Sequence, residues 1–186
     1  MMERCSKICK EKGLKANQYK KSMLDFKLQR KFNLVILCSG GLGLFTKDKE
    51  INKVFNRVSA HLNPGGLFIF EFEPVPLIKE NNMNTINWSG DWINGPDGAV
   101  IAWRNRSKYN SATYVWEKLF VIEKYVKGRL VETEANERTG RYFTADEAEE
   151  FAMTEGFENI KLTNWLTQDP PNENSKVITV CCRKSG

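Results

Sequence analysis

The segment HLNPGGLFIFEF at 61–72 limits the possible folds more than any other stretch of this chain. Ahead of it, Ile51, Val54, Phe55, Val58 and Leu62 recur at the spacing of one helical face. Asn63-Pro64-Gly65-Gly66 stops that helix, and Leu67 to Phe70 then run without a polar residue before Glu71 and Phe72. In a chain that is 27% charged, an unbroken apolar strand belongs in a parallel sheet, where crossover helices cover both faces. Upstream, Phe32 to Leu37 is a second apolar strand, ending in CSGGLGLFT. Between the two, Thr46 suits a helix N-cap, and Asp48 and Glu50 suit its positive end. Strand, loop, helix, turn, strand is a βαβ unit. Glu71 and Glu73 come at the carboxyl end of its second strand, where such sheets place their ligand crevice.

The length of 186 residues fits one domain with a sizeable core, and 41% apolar content with 11% aromatics excludes disorder. No run reaches the roughly 18 to 20 apolar residues of a membrane span. The first residues are charged from Glu3 onward and form no secretory apolar core. Cys5, Cys9, Cys38, Cys181 and Cys182 are an odd set without framework spacing, which reads as reduced thiols in a cytoplasmic protein. Cys5 and Cys9 stand at i, i+4 with no second ligand pair nearby, so they imply helix packing and no metal. Residues 1–31 hold ten Lys/Arg against three Asp/Glu. Those lysines are not interleaved with a stacking platform of aromatics. A solvated helix face and a lysine-rich edge strand are therefore favoured over a nucleic-acid surface.

Met2, Cys5, Ile8 and Cys9 share a helical face that Gly13-Leu14 terminates, and ANQYKKS follows as a short strand. Residues 86–142 change character. NWSGDWINGPDG is turn-rich, and three antiparallel strands follow it, the last two joined by a hairpin at Tyr125–Arg129. Thr144-Ala145-Asp146-Glu147 is a capping box that opens a helix through Phe151 to Gly156. FENIKLTNWL and KVITVCCRK supply two last strands. His61, the one histidine, sits at a helix C-terminus, where a structural role is expected.

In this order, MMERC, KKSMLDFKLQRKFNLVIL, SGGLGLF, VSAHLNPGGLFIFEFE and GRYFTADEAEEFAMTEGF resemble the class I S-adenosylmethionine-dependent methyltransferases over nearly the whole chain. The resemblance implies an α/β, Rossmann-like sheet of order 3-2-1-4-5-7-6 whose last-formed strand runs against the rest. Residues 16–20 would be its third strand, 32–37 the fourth, 67–72 the fifth, 157–165 the sixth and 176–183 the seventh. The family's first two strands and its glycine-rich loop have no counterpart in residues 1–186. Residues 1–85 and 143–186 would then be a partial methyltransferase domain, and 86–142 an antiparallel β insertion acting as a substrate lid.

The resemblance also implies a cofactor, S-adenosylmethionine. Met2 matches a position packing near the adenine, and Ser22 stands where the family commonly has an Asp bonding the adenine amino group, with Met23 beside it. Asn33 replaces a frequent Asp, and Cys38, Ser39 and Gly40 match the segment passing the methyl-bearing sulfur. Read from the residues alone, Met2 and Met23 equally suit a core, and Ser22 and Ser39 equally suit turns. Glu71 and Glu73 read either as acceptor-site bases or as a strand end facing water. Trp88, Trp92, Trp103 and Trp116 would line an apolar acceptor pocket or form the core of a thin lid. Two functions are expected. One is methyl transfer to a small-molecule acceptor, inactive or impaired in this chain. The other is a non-enzymatic remnant or binding subunit that pairs with another protein, or with itself, through an open sheet edge.

Overall fold

The computed structural model describes residues 2–75, 89–95 and 98–186. Its first sheet contains β1 (Phe32–Leu37), β2 (Leu62–Phe72), β7 (Phe157–Asn164) and β8 (Ile178–Lys184), in the order β1-β2-β8-β7. β1 and β2 are parallel, whereas β8 runs antiparallel to both its neighbours. This is the fourth-fifth-seventh-sixth arrangement with a reversed last strand that the family resemblance implied. The helix between β1 and β2, α2 (Asp48–His61), buries Ile51, Val54, Phe55 and Val58 as its spacing required. Leu62 is also fully buried but already belongs to β2. Its partner is Phe32, and pairing resumes at Leu34 with Leu67, so the Asn63–Gly66 turn bulges out of the ladder.

Several expectations need correction. Residues 16–20 form no strand: among the described residues nothing pairs with them, and Gln18 instead donates to Ser6 on α1 (Met2–Glu11). Tyr19 is mostly exposed, so the segment has no buried face to hold a register. Thr46 is not the N-cap of α2. Lys47 holds that position without a side-chain bond.

The sheet is also not covered equally on its two faces. Phe68, Phe70 and Phe72 point to an inner face and are fully buried. Phe55 of α2 meets Phe68 and Phe70 there, at centroid distances of 5.4 and 5.0 Å, both edge to face. The next helix, α3 (Ala145–Thr154), completes this layer with Ala148 and Ala152 buried. Its capping box forms as expected, with Thr144 Oγ1 accepting from the Glu147 N–H and Glu147 Oε2 accepting from the Thr144 N–H. The outer face carries Leu34, Ile36, Leu67, Ile69 and Cys181, and Leu34 and Ile36 are 46% and 57% exposed. α1 leaves its apolar stripe open too, for none of its residues is buried.

The second sheet is an antiparallel meander of four strands rather than three: β3 (Ser89–Asn94), β4 (Ala99–Asn110), β5 (Val115–Val126) and β6 (Arg129–Arg141). β3 falls in the stretch whose Gly, Asp and Asn content read as a turn. It is an edge strand, and Gly90 fits because a Cβ there would lie 2.0 Å from the Trp103 carbonyl. Lys127 and Gly128, both at positive φ, make the tight hairpin between β5 and β6. The two sheets meet where β6 ends. Arg141 donates from one nitrogen to Asp48 at the start of α2 and from another to Glu147 in the first turn of α3. Beside it, the Phe143 N–H donates to the Glu73 carbonyl (3.2 Å) and the Val75 N–H to the Phe143 carbonyl (2.9 Å). No helix among the described residues is long and apolar enough to cross a membrane.

Candidate functional site

The carboxyl ends of β1, β2 and β7 lie at one edge of the first sheet, because these three strands point the same way. The chain leaving β1 there turns at Ser39 and Gly40, with φ of 60° and 66°, into a short 3-10 turn at Gly41–Leu44. A serine at positive φ is strained unless something holds it. Glu71 does so: its Oε2 accepts from the Ser39 N–H at 2.8 Å. Its other oxygen, Oε1, accepts from the indole Nε1–H of Trp165 at 3.1 Å, just past the end of β7. One carboxylate thus ties together all three strand ends, with a partner on each oxygen.

Glu73 is placed differently. It is exposed, and its side chain has no hydrogen-bond or ion-pair partner among the described residues. A Cβ on Gly40 would lie 3.8 Å from Glu73 Oε1, so the glycine leaves the carboxylate room beside the turn. On its other side is Tyr142, whose phenol is pushed up by burial first and then by the Glu73 charge and by Tyr109. Tyr142 therefore stays a neutral hydroxyl next to an anion. Tyr109 and Trp116 flank it at centroid distances of 5.9 and 6.3 Å. Trp116 packs under Gly140, where a Cβ would come within 2.3 Å of its ring.

The other expected site residues are scattered. Cys38 is exposed immediately before the turn. Met2 opens α1 and is exposed, and Met23 is half-buried in a turn. The Ser22 hydroxyl accepts from the Leu24 N–H at 3.1 Å and so braces that turn. Asn33 accepts from Asn63 at 2.7 Å and braces the Asn63–Gly66 turn within β2. His61 is structural: Nε2 accepts from the Leu28 N–H at 2.9 Å while Nδ1, 2.7 Å from the Arg57 carbonyl, must carry the proton.

Trp88 lies outside the described residues. Trp92 pairs with Ala102, one step out of phase with Trp103, and Trp103 shares a face with Tyr109 six residues on. Trp92 thus stands on the opposite face of the second sheet from Tyr109 and Trp116, 69% exposed, beside the Arg104–Glu123 ion pair. Among the described tryptophans singled out in the sequence, Trp116 is the one that packs beside Tyr142.

Solved structures share this architecture. An S-adenosylmethionine-dependent methyltransferase from Clostridium acetobutylicum superposes with a TM-score of 0.80 at 16% identity, over all of this chain and 71% of that one. DesVI from Streptomyces venezuelae gives 0.71 at 17% identity, over 98% of this chain and 70% of its own. The sugar N-methyltransferase KedS8 from Streptoalloteichus gives 0.70 at 16% identity, over 95% and 66%. No family model matches the chain, and no curated protein matches it. The sheet order, the reversed last strand and these superpositions together give the chain the Rossmann-like fold of the class I S-adenosylmethionine-dependent methyltransferases.

Proposed function

We propose that this chain serves S-adenosylmethionine-dependent methyl transfer to a small-molecule acceptor. The observation that carries the reading is the Ser39–Gly40 turn, held by Glu71 at the carboxyl edge of the parallel strands and facing Glu73 and Tyr142. The residues suited to the cofactor are Cys38, Ser39 and Gly40, whose exposed backbone and missing Cβ allow close approach. The bound cofactor would supply an activated methyl group on a sulfonium. Such transfer asks little of side chains beyond positioning and charge placement. Glu71 is a positioning residue, since both its oxygens are already engaged. Tyr142, backed by Tyr109 and Trp116, lies close enough to Glu73 to feel its charge. Met2, Ser22 and Met23, the positions expected near the adenine, are joined to Ser39 by no hydrogen bond among the described residues. Micromolar cofactor affinity is therefore not expected of the chain alone.

The test is a titration with S-adenosylhomocysteine followed by amide NMR. Expected are fast-exchange shifts centred on Ser39, Gly40 and Gly41, saturating only well above micromolar concentration. Shifts confined to other parts of the chain, or none at millimolar ligand, would overturn the reading.

A second reading, association through an open sheet edge, is favoured by β1. It pairs with β2 alone among the described residues, and its Leu34 and Ile36 are exposed on the outer face. Here the chain would be a binding subunit whose partner, or second copy, extends the sheet.

A further inference from the structure

We infer that Arg141 is a second positioning residue of the candidate site. By holding the end of β6 on the first turns of α2 and α3, it sets the Ser39–Gly40 turn against Tyr142 and Glu73. The inference rests on the methyl-transfer reading for what the site binds, and deepens it by naming the residue that fixes the site's geometry. The Arg141 side chain is 11% exposed, and its guanidinium donates to Asp48 and Glu147 while lying 5.2 Å from the Phe143 ring centroid. Both carboxylates stand in the first turn of a helix. Helix starts are positive ends, so the two carboxylates hold the guanidinium there against the local field.

Two routes lead from this clasp to the site. In the first, β6 packs on the 3-10 turn at Gly41–Leu44. A Cβ on Gly43 would lie 3.1 Å from the Arg141 carbonyl, and one on Gly140 would lie 2.8 Å from the Gly43 carbonyl. Backbone thus presses on backbone, with no flexible side chain between them to absorb a shift. Gly43 in turn donates its N–H to the Gly40 carbonyl at 2.9 Å, so a displaced β6 end displaces the Gly40 turn. The second route is covalent. Tyr142 follows Arg141 directly, and the next N–H, that of Phe143, donates to the Glu73 carbonyl at 3.2 Å. Glu147 divides its oxygens between two tasks: Oε2 accepts from the Thr144 N–H to complete the capping box, and Oε1 accepts from Arg141. Helix start and site geometry therefore share one carboxylate, and the two tasks can be separated chemically. Glutamine also serves at that capping position, but it carries no charge to hold a buried guanidinium.

The test compares Glu147→Gln and Arg141→Gln with Thr144→Ala, which weakens the cap but keeps both partners of Arg141. Amide and indole NMR signals of each full chain are followed without ligand, beside urea denaturation. Glu147→Gln and Arg141→Gln should both shift the Gly40 and Gly43 amides and the Trp116 indole. Thr144→Ala should lose stability and leave those signals in place. S-adenosylhomocysteine should bind Glu147→Gln about fivefold more weakly than the unaltered chain, the lower end of coupling between sites. Stability lost in the first two variants with Gly40 and Gly43 unmoved would reduce Arg141 to a structural ion pair and overturn the inference. Equal shifts in Thr144→Ala would do the same. Should Arg141→Gln fold poorly, Asp48→Asn removes the charge of the more exposed partner and is read by the same signals. Failure here is distinguishable from failure of methyl transfer. Ligand-free shifts in the clasp variants, with S-adenosylhomocysteine leaving Ser39 and Gly40 of the unaltered chain unmoved, support the clasp and overturn methyl transfer. Cofactor shifts of equal size and affinity in every variant do the reverse.

Discussion

The two faces of the first sheet are built from the same strands and have opposite fates. On the inner face Phe68, Phe70 and Phe72 are fully buried under α2 and α3. One residue out of phase, Leu34 and Ile36 stand about half open on the outer face, with Leu67, Ile69 and Cys181 only half-buried. Sequence gives both faces the same apolar character. The difference shows that an apolar run marks a strand meant for covering on both sides, without showing what covers it. Inner-face residues are therefore expected to matter most for how stable the chain is.

The comparison breaks most visibly under truncation of one residue per face. Phe70→Ala should cost about 3–5 kcal/mol, transfer plus cavity, while Ile36→Ala should cost less than about 1 kcal/mol, because its side chain is already partly hydrated. Urea denaturation of the two variants measures this, and comparable losses would show that the outer face is covered after all. A milder attack on the inner cover is Thr144→Ala, which removes the Oγ1 acceptor that caps α3 and should cost about 1 kcal/mol. Thermal melting checks it, and Ser in place of Thr144 should restore most of the loss.

Adjacent cysteines sharpen the contrast without perturbing it. Cys182 faces inward, fully buried, with its thiol pushed up to about 12 by burial and then by Cys181. Cys181 faces outward and is half-buried. Iodoacetamide at mildly alkaline pH should label Cys181 well before Cys182, and equal rates would contradict the two-face account. The same shift has a sign in stability. The folded thiol holds its proton above the ordinary value of 9.0, so its contribution is complete below pH 9. It is lost as pH rises from 9 toward about 12, because there the unfolded chain releases a proton that the folded chain keeps. Cys182→Ala should remove that part of the alkaline decline.

Much of this was legible in residue order. The α2 stripe, the two apolar strands and the Thr144 capping box are local patterns, and each formed as spacing dictates. Residues 16–20 failed because a strand needs a neighbour, and propensity does not supply one. β3 was missed because Gly90 and Asp91 carry turn signals, while its pairing with β4 is a tertiary fact. At the proposed site, Glu71, Glu73, Ser39 and Gly40 were singled out because they stand at or just past strand ends. Trp165 escaped notice, although it too follows a strand, β7, and that was the signal available. Tyr109 and Tyr142 come from strand ends far apart in sequence. Choosing Trp116 over Trp92 required the register of β3 against β4, which no single-strand alternation reveals.

The central claim is that nothing among the described residues covers the outer face or pairs with the free side of β1, and static light scattering across micromolar concentrations tests it most directly. Residues 16–20 do not fold across to pair with β1, so no segment among the described residues closes that edge. An open strand backbone beside exposed Leu34 and Ile36 should recruit another strand. The account predicts an apparent mass that rises with concentration, and a smaller rise when Leu34 and Ile36 are both replaced by Lys. A monodisperse monomer whose mass is unchanged by concentration would contradict it.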